Sequence, residues 1–398
     1  MSVEQNELDL YDDLANSEQS CEYFECYIHA FSLVYDEVHI PLSISICLFG
    51  ALSNVLNIIV LTRRRMRTPI NILLTGLSLA QWLLATNYLS FLILEYYRAQ
   101  CIELFWSKGF TWYRFFNVNL NTVFHTIAFT TTIIVAVFRY CALRFPIKAN
   151  RLIYKSKLAV VTNIIIWIIV PLISLPVFFI SEVKEIDISA QPYGHFCNTT
   201  GPIYDLSYLA DQFLISAVFW AFGIVFKLLP SSLLTVLLIA LIRSLNMVEK
   251  RRKKMKDGQR SAISKREKKA QRKVTTRPRT TRMLVIILLL CVMVEFPMGF
   301  LNLCVAVYGS ECGSRIYDPL GNFMEMLTLL YSSVSFVLYC TMSNDFLLTF
   351  RSIFLPFLDN EHVLGRAVSG SWKARKENNM DDKKGFLLPA NSPSSFAV

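Results

Sequence analysis

Seven stretches of this chain are apolar almost without interruption: 42–62, 71–96, 112–138, 158–180, 213–242, 283–308 and 319–341. An α-helix needs roughly 20 such residues to cross the hydrocarbon core of a bilayer. Strands and helices of a soluble core show shorter apolar runs, with polar residues recurring on one face. The pattern therefore predicts an all-α membrane protein, a seven-transmembrane helix bundle. An eighth apolar segment, 344–358, is too short to span and carries one basic residue, Arg351. It predicts a short C-terminal amphipathic helix lying on the membrane surface.

Composition agrees. Of 398 residues, 54% are hydrophobic and 18% charged, with mean hydropathy +0.41, against about 25% charged in soluble domains. The net charge of +10 is unevenly placed. Residues 1–39 hold ten Asp or Glu and no Lys or Arg, whereas Arg243–Arg282 hold seventeen Lys or Arg and three acids. Basic residues also follow the first span (Arg63, Arg64, Arg65, Arg67) and the third (Arg139, Arg144, Lys148, Arg151, Lys155, Lys157). Short basic loops stay cytoplasmic, so all three indicate an extracellular N-terminus and a plasma-membrane, multi-pass protein. Basic charge placed between spans is a topology signal and a surface for lipid or a cytoplasmic partner, not for nucleic acid. The N-terminus lacks a basic and apolar signal sequence, so the first span is expected to act as its own anchor. The expected organisation is an acidic extracellular segment 1–39, a seven-span domain 40–343, an amphipathic helix 344–358 and a disordered cytoplasmic tail 359–398.

Polar residues inside the spans must turn into the bundle, because an unsatisfied polar group in lipid costs several kcal/mol. Asn54, Asn57, Gln81, Asn119 and Asn121 read as contacts between helices. Pro171, Pro176, Pro230 and Pro297 remove backbone donors, and Pro230 and Pro297, deep in spans five and six, are the expected hinges. His125, Lys227 and Glu295 are ionisable at depths where charge rarely stands alone. No nucleophile–base pair and no metal-ligand spacing is present; neither an enzyme nor a cofactor is expected.

Short motifs at the span ends add a resemblance. Span three ends Phe138-Arg139-Tyr140, followed by Pro146; span six holds Glu295-Phe296-Pro297; span seven ends Ser335-Phe336-Val337-Leu338-Tyr339. Their order and placement resemble rhodopsin-like G-protein-coupled receptors. The departures from that class resemble the invertebrate myosuppressin and FMRFamide-like neuropeptide receptors, which include the nematode serpentine receptors of the W type. Phe124-His125-Thr126-Ile127 and Met66-Arg67-Thr68 belong to the same pattern, which covers about residues 42–355.

The resemblance implies a receptor that binds an extracellular amidated peptide and activates a heterotrimeric G protein, with an arrestin as a further partner. It implies that Arg139, Tyr140, Pro146 and Tyr339 serve coupling to the G protein. It places His125, Lys227 and Glu295 at the bottom of one cavity, where Lys227 and Glu295 are expected to pair with His125 nearby. Glu95, Glu103 and Glu325, near outer span ends, would form a carboxylate ring suited to a cationic peptide; of these, Glu95 and Glu325 are the candidate ligand contacts. Gln81 replaces the usual sodium-binding aspartate, so no metal is expected. The class bridges the second outer loop to span three; Arg114 stands where that cysteine is expected, leaving Cys101 as partner for Cys197. Asn198-Thr199-Thr200 is a glycosylation sequon. The same bundle also serves chemosensory receptors for small environmental molecules, the main competing reading. A small transporter would show repeated halves and helices broken at the membrane midplane, and neither is evident.

Overall fold

The structure, a computed structural model, describes residues 23–100, 102–145, 155–186, 202–208, 217–218, 220–258, 265–308 and 313–355. Seven described helices are long and apolar enough to cross a membrane. They are α1 (Tyr23–Leu61), α2 (Pro69–Ala99), α3 (Lys108–Arg144), α4 (Ser156–Ser174), α5 (Leu229–Gly258), α6 (Lys265–Tyr308) and α7 (Asp318–Met342). They pack as a ring: α1 lies on α2 and α7, α2 on α3 and α4, α3 on α4 and α5, α5 on α6, and α6 on α7.

The local chemistry explains the boundaries. Thr68 caps α2 by accepting the Asn71 amide at 3.2 Å, and Pro69 fills the first helical position, where no donor is needed. Helix α1 begins at Tyr23, well before the apolar stretch at 42, so residue 40 marks no break in the backbone. The added turns are amphipathic rather than apolar. Ile28, Ser32, Tyr35 and His39, spaced four, three and four residues apart, are buried, and Tyr35 meets the Phe323 ring of α7 edge-on at 5.5 Å. A hydropathy window cannot register a stripe of that kind. At the opposite end α5 and α6 also run past the expected spans, so much of the basic segment is helical.

A two-stranded antiparallel hairpin, β1 (Ser181–Ile186) with β2 (Ile203–Tyr208), joins the helices at the end of the bundle where α2 stops and α3 starts. We call this the hairpin end and the opposite one the basic end. The strands are short and charged, and an isolated hairpin of this size is marginal in water; docking on α3, not strand propensity, holds it. A second compact unit starts at Asp345 and contains α8 (Asn344–Phe354). Within it Thr349 Oγ1 donates to Asp345 O at 2.7 Å, and the Phe350 and Phe354 rings lie 5.0 Å apart. It stops short of 358 because Leu355 precedes a proline, which disfavours helical backbone. The tail expected beyond it lies outside the described residues.

In lipid, apolar side chains gain nothing by leaving one another for the acyl chains, so helices associate through close packing and hydrogen bonds. Phe129, Leu234, Leu238, Leu241, Leu288, Val294 and Tyr331 join α3, α5, α6 and α7. Cys47, Leu84, Tyr88, Leu92 and Leu329 join α1, α2 and α7. Not every amide bridges helices as expected. Asn54 and Asn119 donate to Gly50 O and Phe115 O of their own helices. Asn121 does bridge, donating from α3 to Glu325 Oε1 of α7 at 2.6 Å, and further bridging amides are Asn87 and Asn117, which exchange bonds with each other's backbone at 2.8 and 3.0 Å, and Asn163, which donates to Ile72 O at 2.8 Å.

That last bond sets a close approach of α2 and α4. A Cβ on Gly76 would lie 2.6 Å from Asn163 Oδ1, so the held amide would have to move. Gly109 has nothing within 4 Å of the same position. Gly76→Ala is expected to cost about 1–3 kcal/mol, read as a lower Tm of the purified protein, while Gly109→Ala leaves Tm unchanged.

Candidate functional site

Proline 230 shapes the first part of the site. It has no N–H, and its ring collides with the carbonyl four residues earlier. The preceding turns widen into a π-helix, Phe222–Leu228, and Ser231 Oγ donates to Lys227 O at 2.6 Å. Such widened turns redirect side chains and are frequent at functional sites. Here the segment carries Lys227 to within reach of α3 and α6.

His125 of α3, Lys227 and Glu295 of α6 meet as one cluster. His125 Nε2 lies 2.8 Å from Glu295 Oε1, Lys227 Nζ lies 3.2 Å from Glu295 Oε2, and the same ammonium lies 3.2 Å from His125 Nδ1. The same ammonium also lies 3.5 Å from His125 Nε2, so it stands beside both ring nitrogens rather than in line with one of them. Tyr331 of α7 donates its hydroxyl to Glu295 Oε1 at 3.3 Å. Glu295 is 1% exposed and the Lys227 side chain 18%. The Glu295 carboxylate and the Lys227 ammonium meet inside a quartet that ties α3, the π segment before α5, α6 and α7 together. Removing one member of a buried pair costs about 3–5 kcal/mol, because the other is left unpaired.

A cavity of about 260 Å³ opens between α2, α3, α6 and α7, lined by Tyr88, Phe91, Asn117, Asn121, Met298 and Glu325 among others. Asn121 and Met298 sit one helical turn, roughly 5–6 Å, from His125 and Glu295. The quartet therefore lies beneath this cavity, and His125, Lys227 and Glu295 are not among the residues that line it. Glu325 does line it. Its Oε1 accepts from Asn121 Nδ2 at 2.6 Å, and no cation among the described residues reaches salt-bridge distance of it.

The expected ring of three carboxylates does not form. Glu95 is engaged by Arg114 Nε at 2.6 Å. Glu103 opens a short, solvent-facing 3₁₀ turn, Glu103–Trp106. Among the described residues, Glu325 is the carboxylate that faces the cavity with no cation at salt-bridge distance. Arg98 and Asp205, which sequence reasoning did not single out, gather with Arg114 beside Glu95. In the hairpin Tyr204 donates to Glu185 Oε2 at 3.3 Å, and that carboxylate pushes the exposed phenol above its usual range.

At the basic end Arg139 is half-buried, with the apolar Phe138 in place of an acid before it. Tyr140 packs against the α3–α5–α6–α7 core. Tyr339 of α7 is buried within electrostatic reach of the Arg139 guanidinium. Arg282 Nη2 and Nε donate to Glu249 Oε1 at 2.5 and 3.1 Å, an exposed pair that joins α5 to α6 and that sequence reasoning missed. Pro230 and Pro297 both sit within continuous helix near the quartet. Gln81 and Ser335 are buried, and Gln81 Oε1 and Ser335 Oγ find no protein partner, as do both polar atoms of Asn57. Among the described residues no three His, Cys, Asp or Glu side chains come together as a metal site. Pro146, Cys101, Cys197 and Asn198 lie outside the described residues.

Two proteins of Caenorhabditis elegans are similar to this chain. One is the G-protein coupled receptor dmsr-1, 26% identical over 371 residues, covering 84% of this chain and 71% of the relative. The other is sex peptide receptor-related protein 2, 24% identical over 332 residues, covering 78% and 69%. The sequence profile described as serpentine type 7TM GPCR chemoreceptor Srw matches residues 41–356. The matched region takes in α1 from residue 41, the other six membrane-length helices, the buried quartet and Arg139, and the chain therefore belongs to the Srw family of serpentine seven-transmembrane G-protein-coupled receptors.

Proposed function

We propose that this receptor binds a basic, amidated, FMRFamide-like neuropeptide in the cavity at the hairpin end and passes the signal inward through the quartet. Family membership implies a heterotrimeric G protein and an extracellular ligand. The observation that carries the finer reading is Glu325, a carboxylate without a counter-cation among the described residues, facing a cavity within the span region. A guanidinium or amine supplied by the ligand completes that pair, and an arginine fits a carboxylate with two parallel bonds. The name of one relative, sex peptide receptor-related protein 2, points the same way. The basic residues that follow spans one, three and five support an inward basic end and an outward hairpin end at the plasma membrane. In this reading Arg139, Tyr140 and Tyr339 meet the G protein, with Pro146 beside them, and the basic extensions of α5 and α6 face anionic lipid and an arrestin. Ligand bound better by one arrangement of the helices shifts the population toward it. The quartet couples the cavity to α6 because Glu295 stands two residues before Pro297, where that helix lacks a backbone bond. Cys101–Cys197 pairing and glycosylation at Asn198 belong to the same proposal.

A small environmental amine is the second reading, favoured by the chemoreceptor description of the matching family. The two separate in cells that express the receptor with a promiscuous G protein, challenged with amidated peptides and with small amines. The peptide reading requires a response to an Arg-containing amidated peptide; a response to amines alone would sink it.

Glu325→Gln is expected to weaken an active basic ligand about tenfold or more, the loss of a charged hydrogen bond being about 1.5–3 kcal/mol. Unchanged potency removes Glu325 from the site. Glu295→Gln leaves the Lys227 charge without its carboxylate and loosens four helices at once; basal G-protein signalling should rise. Equal basal signalling at equal surface expression would show that the quartet only packs the bundle.

A further inference from the structure

At the hairpin end, four charges converge from three elements. Asp205 of β2 presents one oxygen, Oδ1, to Arg98 Nη2 of α2 at 3.0 Å and to Arg114 Nη1 of α3 at 2.6 Å. Arg114 Nε also meets Glu95 Oε1 of α2 at 2.6 Å. Arg98 is 3% exposed, while Arg114, Asp205 and Glu95 are 22%, 21% and 30% exposed in their side chains. The buried guanidinium is held from other sides too. The Trp106 ring stacks at 3.9 Å from Arg98 Cζ, Trp106 Nε1 donates to Arg98 O at 3.2 Å, and Arg98 Nη1 donates to Phe105 O at 3.4 Å. Thr111 Oγ1 of α3 adds a bond to Tyr204 O, the residue before Asp205, at 3.0 Å.

The charge balance depends on where the hairpin is. With β2 docked, two arginines face two carboxylates. With β2 lifted, Arg98 and Arg114 share Glu95 alone, and Arg98 loses the only carboxylate within salt-bridge distance of it among the described residues. Glu95 and Arg114 stand one turn from Phe91 and Asn117, which line the ligand cavity. Whatever fixes β2 therefore also fixes the rim of that cavity on its α2–α3 side.

We infer that Asp205 is a positioning residue: with Arg98 and Arg114 it forms a charge latch that holds the hairpin on α2 and α3 and sets access to the cavity. The latch needs no sulfur bridge to act, since ion pairs and the Thr111 bond reach β2 from both helices. Breaking the Arg98–Asp205 pair leaves a buried cation without a carboxylate at salt-bridge distance among the described residues. That access to the cavity is access for a ligand rests on the receptor reading above; the latch does not.

The test uses the full-length receptor in lipid nanodiscs and no peptide. Amide hydrogen exchange across 202–208 reads the docking of β2. Asp205→Asn should speed it by about tenfold or more, and Asp205→Glu should restore much of the protection. Raising sodium chloride to about 1 M, where the screening length is about 3 Å, should speed exchange in the wild type, because three members are partly exposed. Added dithiothreitol should leave it unchanged. Access is read with Gly321→Cys, a cavity position where an added Cβ meets nothing within 4 Å, by its rate of reaction with a cationic methanethiosulfonate reagent. Asp205→Asn in that background should raise the rate several-fold. Exchange of 202–208 that is indifferent to Asp205→Asn, or that dithiothreitol alone releases, overturns the latch. Faster exchange with an unchanged thiol rate overturns its control of access. If Asp205→Asn lowers the yield of folded receptor, Arg114→Gln and the salt series on wild type make the same measurement. A peptide library that finds no ligand leaves each of these readings as it stands.

Discussion

A carboxylate in the middle of a membrane bundle must be shared or protonated, and Glu295 is shared by His125, Lys227 and Tyr331. No single neighbour would suffice. A lone ammonium would leave lone pairs of the carboxylate unsatisfied in a low dielectric, and a lone imidazole would leave the charge unbalanced. The requirement that every lone pair and proton be placed draws α3, the π segment before α5, α6 and α7 to one point. The apolar cluster around Phe129, Leu234 and Leu288 then packs beneath that point. Because this cluster gains little from exclusion of water, the polar knot is what makes one arrangement of the four helices better than its neighbours.

The two ends of the molecule manage charge in opposite ways. At the hairpin end Arg98 and Arg114 face Asp205 and Glu95, while Glu325 faces a cavity with no cation at salt-bridge distance among the described residues. At the basic end cations are in excess, along helices α5 and α6 that run well beyond the apolar spans. An unmatched basic end is adhesive toward anionic surfaces in general. In the proposed reading, ligand specificity and partner contact sit at opposite ends, with the quartet between them.

The departures from the commoner receptor motifs fit this distribution. With Phe138 before Arg139 the residue ahead of that arginine is apolar, and at the basic end the pair Glu249–Arg282 ties α5 to α6. With Gln81 in α2 the layer holding Asn54, Asn57 and Ser335 is neutral, although several of its polar atoms lack protein partners. The formal charge that this bundle carries near its centre is in the quartet. The arginine at position 114, where a cysteine is expected in this class, finds its role in an ion pair with the hairpin.

The chain's own order of residues determined the seven spans, since span length and hydropathy follow from the thickness of a bilayer and need no tertiary knowledge. It also marked Lys227 and Glu295 as a pair with His125 nearby, because charge at that depth has few alternatives. It did not reveal that the first helix starts at Tyr23, since an amphipathic stripe only becomes a buried face once α7 is beside it. Nor did it reveal that Glu95 is neutralised while Glu325 is not. Both are glutamates near span ends, and only the position of Arg114, nineteen residues from one and far from the other, separates them. The hairpin and the convergence of Arg98, Arg114 and Asp205 depend on contacts some ninety or more residues apart in the chain. Local propensity carries no record of such contacts; the tertiary structure decided them, because an ion pair exists only when two distant segments are brought within about 4 Å.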